Sequence, residues 1–312
     1  MSRRARIVPS VVLRYNRHTP PSQQVIPMSD AARPRVALIQ FPGSNCEWET
    51  KRAAEAAGID CEIFRWNRPA EGLVAYDGYI IGGGFSYQDR VRSGVIATKE
   101  PIVGTLFDQV TQEGKPVLGI CNGAQVLVEA GLVPGLHPGE VEMALAPNRP
   151  NPKERLGAFI CRWVYLKHTA GHGRCALTGV MPEGYVWPVP IAHGEGRFTT
   201  RQSDLLEQLM SNDQVVFQYC DGAGRLDEDP AINPNGALAN IAGLCNPEGN
   251  VLAMMPHPER ASYLRQIPYE LNDAWAEQRL SAWGKAEAMM QPGPGRLVFD
   301  SLREALLKRV PA

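Results

Sequence analysis

Short apolar runs separated by longer amphipathic stretches set the rhythm of this chain. Val36-Ala37-Leu38-Ile39-Gln40-Phe41 is the first clear run, and Glu47 to Ala57 after it reads as a helix packed against it. Cys61 to Phe64, Gly78 to Ile81 and Pro116 to Ile120 continue the series. Runs that are apolar throughout suit strands covered on both faces, and strands alternating with helices predict an α/β architecture with a doubly wound, mostly parallel sheet. In such sheets ligands bind beyond the C-terminal ends of the strands. Further along, Ala158 to Tyr165, Val215 to Tyr219 and Gly236 to Ala242 are extended stretches that predict an antiparallel extension. The last helix is expected over Gly295 to Val310, where Leu297, Val298, Phe299, Leu302, Leu306 and Leu307 lie mostly on one face.

One strand end carries chemistry. Pro116-Val117-Leu118 leads into Gly119-Ile120-Cys121-Asn122-Gly123, and Ala124 to Ala130 then reads as a helix. A cysteine at a strand-to-helix turn, with glycine two residues away on each side, is the sulfur version of the nucleophile elbow. Glycine flanks are needed because the turn crowds the backbone. A helix N-terminus also favours thiolate over thiol, so Cys121 reads as a nucleophile rather than as core. Cys46, Cys61, Cys161, Cys175, Cys220 and Cys245 lack this setting. None has CxxC spacing and the total is odd, so neither a zinc site nor a disulfide framework is indicated, and a reducing compartment is expected.

A base and its partner follow a second apolar run. Val251-Leu252-Ala253-Met254-Met255 leads into Pro256-His257-Pro258-Glu259, where His257 and Glu259 can share one face of an extended chain. Pro258 discourages helix at His257. An imidazole oriented by a carboxylate is what a cysteine nucleophile requires. Tyr79-Ile80-Ile81 ends in Gly82-Gly83-Gly84-Phe85-Ser86, whose backbone N–H groups, with that of Asn122, can receive a developing oxyanion. The chain has no GxxxxGK[ST] and no GxGxxG, so the glycines do not read as a phosphate loop.

Gly119 to Gln125 together with Pro256-His257-Pro258-Glu259 resembles the class I glutamine amidotransferase family. Phe41-Pro42-Gly43-Ser44-Asn45-Cys46, Gly83 to Asp89, Ala192-His193-Gly194-Glu195-Gly196-Arg197 and Asn233-Pro234-Asn235-Gly236 narrow the resemblance to the glutaminases of phosphoribosylformylglycinamidine synthase. The resemblance implies a flavodoxin-like sheet and hydrolysis of glutamine to glutamate and ammonia through a thioester on Cys121. His257 would be general base and then acid, oriented by Glu259. The region Gly83–Gly84 and Asn122 would form the oxyanion hole, Gln125 would lie near the substrate backbone, and His193 and Glu195 would shape the site mouth. Ala124 and Gln88-Asp89-Arg90 depart from the family pattern, which touches local packing and partner contacts rather than the chemistry.

At 312 residues the chain holds one enzyme but hardly two. The resemblance therefore implies a large ATP-dependent synthetase subunit as partner, with a small third subunit in many systems. No cofactor is expected on this chain; ATP and magnesium would sit on the partner. A net charge of −1 and the lack of an Arg/Lys run interleaved with aromatics argue against nucleic-acid binding, and no apolar run approaches a membrane span. The expected location is cytoplasmic. Residues 1–34 hold Arg3, Arg4, Arg6, Arg14, Arg17 and Arg33 against Asp30 alone, and read as a disordered extension or an upstream start before Met28 rather than a transit peptide. The amidotransferase domain is expected over 35–312, with an insertion at about 262–294. Within it, Tyr269 to Met290 is expected to be helical and, through Trp275 and Trp283, either packs on its own core or docks the synthetase. Two other functions fit the elbow: a cysteine hydrolase acting on other acyl groups, and a non-catalytic module that kept the fold. The intact Cys121, His257 and Glu259 argue against the second.

Overall fold

The strands run in chain order as β1 (Arg35–Gln40), β2 (Asp60–Arg65), β3 (Gly78–Ile81), β4 (Val117–Ile120), β5 (Ala144–Ala146), β6 (Ile160–His168), β7 (Val186–His193), β8 (Arg197–Thr199), β9 (Val215–Cys220), β10 (Ile241–Cys245) and β11 (Val251–Met254). They belong to a computed structural model that describes residues 33–149 and 159–309. Nine of them form one sheet in the order β2-β1-β3-β4-β11-β10-β9-β6-β7, and β5 pairs with β8 apart from it. From β2 to β11 every pairing is parallel, and from β11 to β7 every pairing is antiparallel. The first five follow the flavodoxin-like order, in which the strand order reverses beside β1. The expectations for residues 1–32, for Ala158 and for Val310 lie outside the described residues.

The parallel half is a core of continuous apolar strands. All four residues of β3, β4 and β11 are buried, because helices cover both faces. The helices are α1 (Glu47–Ala56), α2 (Pro101–Thr111), α3 (Asn122–Glu129), α4 (Leu205–Ser211), α5 (Ala274–Ser281), α6 (Ala286–Met289) and α7 (Arg296–Leu307). Leu297, Val298, Phe299, Leu302 and Leu306 of α7 are buried, as the helical spacing requires.

Three expectations change in detail. The stretch Gly236 to Ala242 becomes strand only at Ile241: Asn233 accepts from the Ala237 N–H, and Asn240 donates to the carbonyls of Tyr219 and Asp227, which turns the chain first. Tyr269 to Met290 is not one helix. Asn272 adopts a left-handed φ of 51°, Asp273 caps α5 by accepting from the Ala276 N–H, and Gly284 (φ 76°) separates α5 from α6. Trp275 is then buried while Trp283 is 68% exposed, so the two do not form one face. The strand β7 escapes a reading by propensity because Pro188 and Pro190 interrupt its run. It stands at the end of the sheet, where a missing N–H costs no ladder bond on the open side.

Candidate active site

Because β11 lies parallel beside β4, with Met254 opposite Ile120, the chain leaves both strands at the same edge of the sheet. Cys121 follows Ile120 directly, and its N–H donates to the Met254 carbonyl at 2.8 Å. Its backbone is strained, with φ 51° and ψ −106°, a conformation costly for a residue with a side chain and typical of functional sites. The flanking glycines allow it. A Cβ on Gly123 would stand 1.9 Å from the Ile81 carbonyl oxygen, and one on Gly119 would stand 2.4 Å from Leu127 Cδ1 and 2.8 Å from the Gly123 carbonyl carbon. Helix α3 can therefore approach β3 and β4 only with glycine at both positions.

His257 arrives from β11 and is anchored by its N–H, which donates to the Pro190 carbonyl at 2.9 Å. The segment is not extended through to Glu259. Pro258 opens a 3₁₀ turn over Pro258–Ala261, and this turn swings Glu259 back so that its Oε1 lies 2.6 Å from His257 Nδ1. Proline suits the first position of a helical turn, where no N–H is needed. Burial of His257 by itself would lower its pKa. The Glu259 carboxylate and then the Cys121 sulfur outweigh that, and the imidazole is held well above its ordinary value. Glu259 takes His257 Nδ1, which leaves Nε2 to serve a reacting group.

Gly83 is where these parts converge. A Cβ there would lie 2.8 Å from His257 Cε1, 3.0 Å from Cys46 Sγ and 3.5 Å from Cys121 Cβ. Cys46 was not singled out by its sequence setting, yet it is buried against the imidazole. Its thiol is pushed up chiefly by burial, with His257 working in the opposite direction. Arg260 Nη2 donates to its sulfur at 3.2 Å, and Arg260 Nε donates to Glu49 at 2.8 Å. The Gly83 carbonyl accepts from the N–H groups of Asn45 and Cys46, both at 3.3 Å, which pins the start of α1 to the glycine loop. Only membership of a Gly-Ser-Asn-Cys segment marks Cys46 in the sequence.

The remaining expected residues form a hydrogen-bonded frame. The Asn122 side chain accepts from the Ser86 N–H at 3.1 Å and donates to Gln125 Oε1 at 2.9 Å, tying the glycine-rich loop to the elbow. Gln125 Nε2 donates to the Glu195 carbonyl at 2.7 Å, and Glu195 Oε2 accepts from the Ser93 N–H at 3.1 Å. Gln125 thus spends both ends of its amide inside the protein. His193 is not a solvated loop residue: it is 2% exposed, and burial, followed by the charge of His257, lowers its pKa to about 3. Asn148 bonds the His193 ring and carbonyl and the Gly196 N–H, and Asn235 donates to the Gly196 carbonyl. Gly84 (φ 147°) packs 2.7 Å from Ser44 Cα at its would-be Cβ, so glycine is required there too. After it, Tyr87, Gln88, Asp89 and Val91 all take positive φ, and burial together with the Glu195 charge raises Asp89 to about 6. The arrangement is a thiol at a strained turn, an imidazole–carboxylate pair beside it, and a glycine loop over both, which is equipment for acyl transfer.

Similarity to known proteins agrees with this chemistry. Residues 33–289 match the family described as CobB/CobQ-like glutamine amidotransferase domain. The chain is 45% identical over 278 residues to phosphoribosylformylglycinamidine synthase subunit PurQ of Methanothrix thermoacetophila, covering 88% of this chain and 99% of that protein. The PurQ subunit of Pyrococcus furiosus is 42% identical over 229 residues, covering 73% of this chain and 90% of that one. Among solved structures, that of PurLQS from Thermotoga maritima superposes with a TM-score of 0.61 at 29% identity, covering 87% of this chain and 98% of that chain. The chain belongs to the PurQ family of phosphoribosylformylglycinamidine synthase subunits, within the CobB/CobQ-like glutamine amidotransferase domains.

Proposed function

We propose that this chain hydrolyses glutamine to glutamate and ammonia, with Cys121, His257 and Glu259 as its catalytic residues, and passes the ammonia to a synthetase that makes phosphoribosylformylglycinamidine. The observation that carries the assignment is the convergence of Cys121, His257 and the Glu259 carboxylate beneath Gly83. Cys121 Sγ attacks the side-chain amide carbon, and its proton passes to His257. The Gly83 carbonyl is held toward Asn45 and Cys46, so the N–H of the next residue, Gly84, faces the opposite side of that trans peptide. That N–H and the one of Asn122 receive the oxyanion. The His257 imidazolium, stabilised by Glu259, protonates the departing nitrogen. Ammonia leaves, a thioester remains, and His257 then takes a proton from the water that releases glutamate.

Free ammonia would be protonated and lost in water, so a partner must dock over this sheet edge. A large ATP-dependent synthetase subunit, with ATP and magnesium bound there, and a small third subunit suit that need. No helix among the described residues is long and apolar enough to cross a membrane. All seven cysteines are free, which supports placing the chain in the cytoplasm. The test is the complex carrying Cys121→Ala: glutamine-dependent synthesis should vanish while ammonia-dependent synthesis persists. Loss of both would overturn the division of labour. A glutamine-mimicking electrophile that labels Cys121, but is not blocked by glutamine, would point instead to hydrolysis of another acyl group.

A further inference from the structure

Cys46 is a second thiol in the site, and the acyl transfer proposed above does not use it. One ligand atom each of Cys46, His257 and Glu259 lies within 4.8 Å of the other two, and all three residues are buried. Glu259 Oε2 has no hydrogen-bond partner among the described residues, although Glu259 is only 1% exposed. Unsatisfied buried donors and acceptors are rare in proteins and point to something that completes them. Sulfur, imidazole nitrogen and carboxylate oxygen together suit a borderline-soft divalent cation and not magnesium or calcium, which take oxygen ligands.

We propose that Cys46, His257 and Glu259 form a site for a thiophilic divalent cation of the Zn²⁺ type, and that its occupation reversibly blocks glutamine hydrolysis. Binding moves protons and no electrons. The Cys46 thiol gives its proton to solvent as the sulfur–metal bond forms, and the imidazole nitrogen that takes the cation is deprotonated in the same way. Arg260 faces the sulfur from one side, and its charge is matched by Glu49, so the thiolate is supported without an unbalanced cation beside the metal. Gly83 supplies the room, since any side chain there would press on both Cys46 Sγ and His257. The bound cation occupies the imidazole, and His257 can then neither accept the proton of Cys121 nor donate one to the leaving nitrogen. Magnesium brought by an ATP-dependent partner would leave the site alone.

The blocking effect rests on the proposed role of His257, but the binding does not, so each can fail separately. Co²⁺ titrated into the full chain carrying Cys121→Ser and Cys161→Ser reports on Cys46 alone near the site, because Cys161 is exposed and would bind on its own. The expected result is a sulfur-to-cobalt charge-transfer band that saturates at one equivalent and is abolished by adding Cys46→Ser or Cys46→Ala, with the fold of each variant checked by circular dichroism. Absence of the band in the folded parent, or its survival without Cys46, overturns the proposal. In the wild-type complex Zn²⁺ should inhibit glutamine-dependent synthesis and spare ammonia-dependent synthesis. Cys46→Ser should raise the half-inhibiting Zn²⁺ concentration by about 10-fold or more, measured against its own uninhibited rate. A normal cobalt band on a protein that never hydrolyses glutamine would count against the proposed function and leave the cation site standing.

Discussion

His257 Nδ1 stands 2.6 Å from Glu259 Oε1, and the two residues are only 2% and 1% exposed, so the carboxylate acts on the imidazole without screening by water. Glu259 is what turns the effect of burial on His257 around. Glu259→Gln keeps the shape and removes the charge. The imidazole should then be largely neutral at neutral pH and free to adopt the wrong tautomer. Glutamine-dependent kcat should fall about 10²- to 10⁴-fold, with a smaller change in KM, and ammonia-dependent synthesis by the complex should be unaffected. Steady-state kinetics with each nitrogen source check this. A kcat near that of the wild type would remove Glu259 from the mechanism.

Of the three buried histidines, His193 and His257 should give the stability–pH curve opposite limbs, with His168, whose pKa burial also lowers, adding to the acid one. His193 has its pKa lowered to about 3, first by burial and then by the His257 charge. Its contribution is present above the unfolded value of about 6.5 and is lost as pH falls from there toward about 3. His257 is raised, first against burial and then by Glu259 and Cys121, so its contribution is complete below about 6.5 and is lost as pH rises through the higher folded value. His193→Asn, which can still reach Asn148, should flatten the acid limb, and Glu259→Gln should flatten the alkaline one. Thermal melts across the pH range decide it, and identical curves for all three proteins would contradict the assignment.

Gly83 and Gly104 give contrasting outcomes for the same substitution. An alanine methyl at 83 meets His257 at 2.8 Å and Cys46 Sγ at 3.0 Å, so the imidazole must move away from Cys121. Gly83→Ala should cost about 10²-fold or more in glutamine-dependent kcat, since misplacement near an ångström is enough for that. Gly104 lies exposed in α2 with nothing within 4 Å of its would-be Cβ, so Gly104→Ala should stabilise by about 0.5–1 kcal/mol and leave activity unchanged. A Gly83→Ala enzyme as active as Gly104→Ala would refute the tight packing of the site.

What could be read in the sequence was local. The run Val36–Ile39 shows a buried strand by composition, and Gly119-x-Cys121-x-Gly123 shows a crowded turn because the crowding arises within a few residues. Contacts set by sheet order were not legible. Cys46 meets His257 because β1, β3, β4 and β11 are neighbours across the sheet, although more than two hundred positions separate the two residues. In the same way His193, the last residue of β7, meets Asn148, which lies 45 positions away in the chain, and no local pattern shows that contact. Pro188 and Pro190 hid β7 because an edge position, which excuses them, is a property of the finished sheet.

Asn148 is the residue on which this frame depends most, and its loss should be felt at Cys121. Its Oδ1 bonds the His193 ring at 3.2 Å and accepts from the Gly196 N–H at 3.0 Å, while its Nδ2 donates to the His193 carbonyl at 2.8 Å. The Gly194–Gly196 turn held this way presents Glu195 to Gln125 of α3, and the preceding carbonyl, that of Ala192, accepts from Cys121 Sγ at 3.7 Å. Asn148→Ala strands buried donors and acceptors, at a cost of about 1–3 kcal/mol. In a chain of this size that lowers Tm by about 2–4 °C per kcal/mol. The turn should relax, and labelling of Cys121 by a glutamine-mimicking electrophile should slow even at temperatures where the variant is fully folded. A merely structural role would lower Tm and leave the labelling rate of the folded protein intact. Mass-spectrometric labelling rates measured well below Tm therefore separate the two, and an unchanged rate would detach the Asn148 frame from the chemistry of the site.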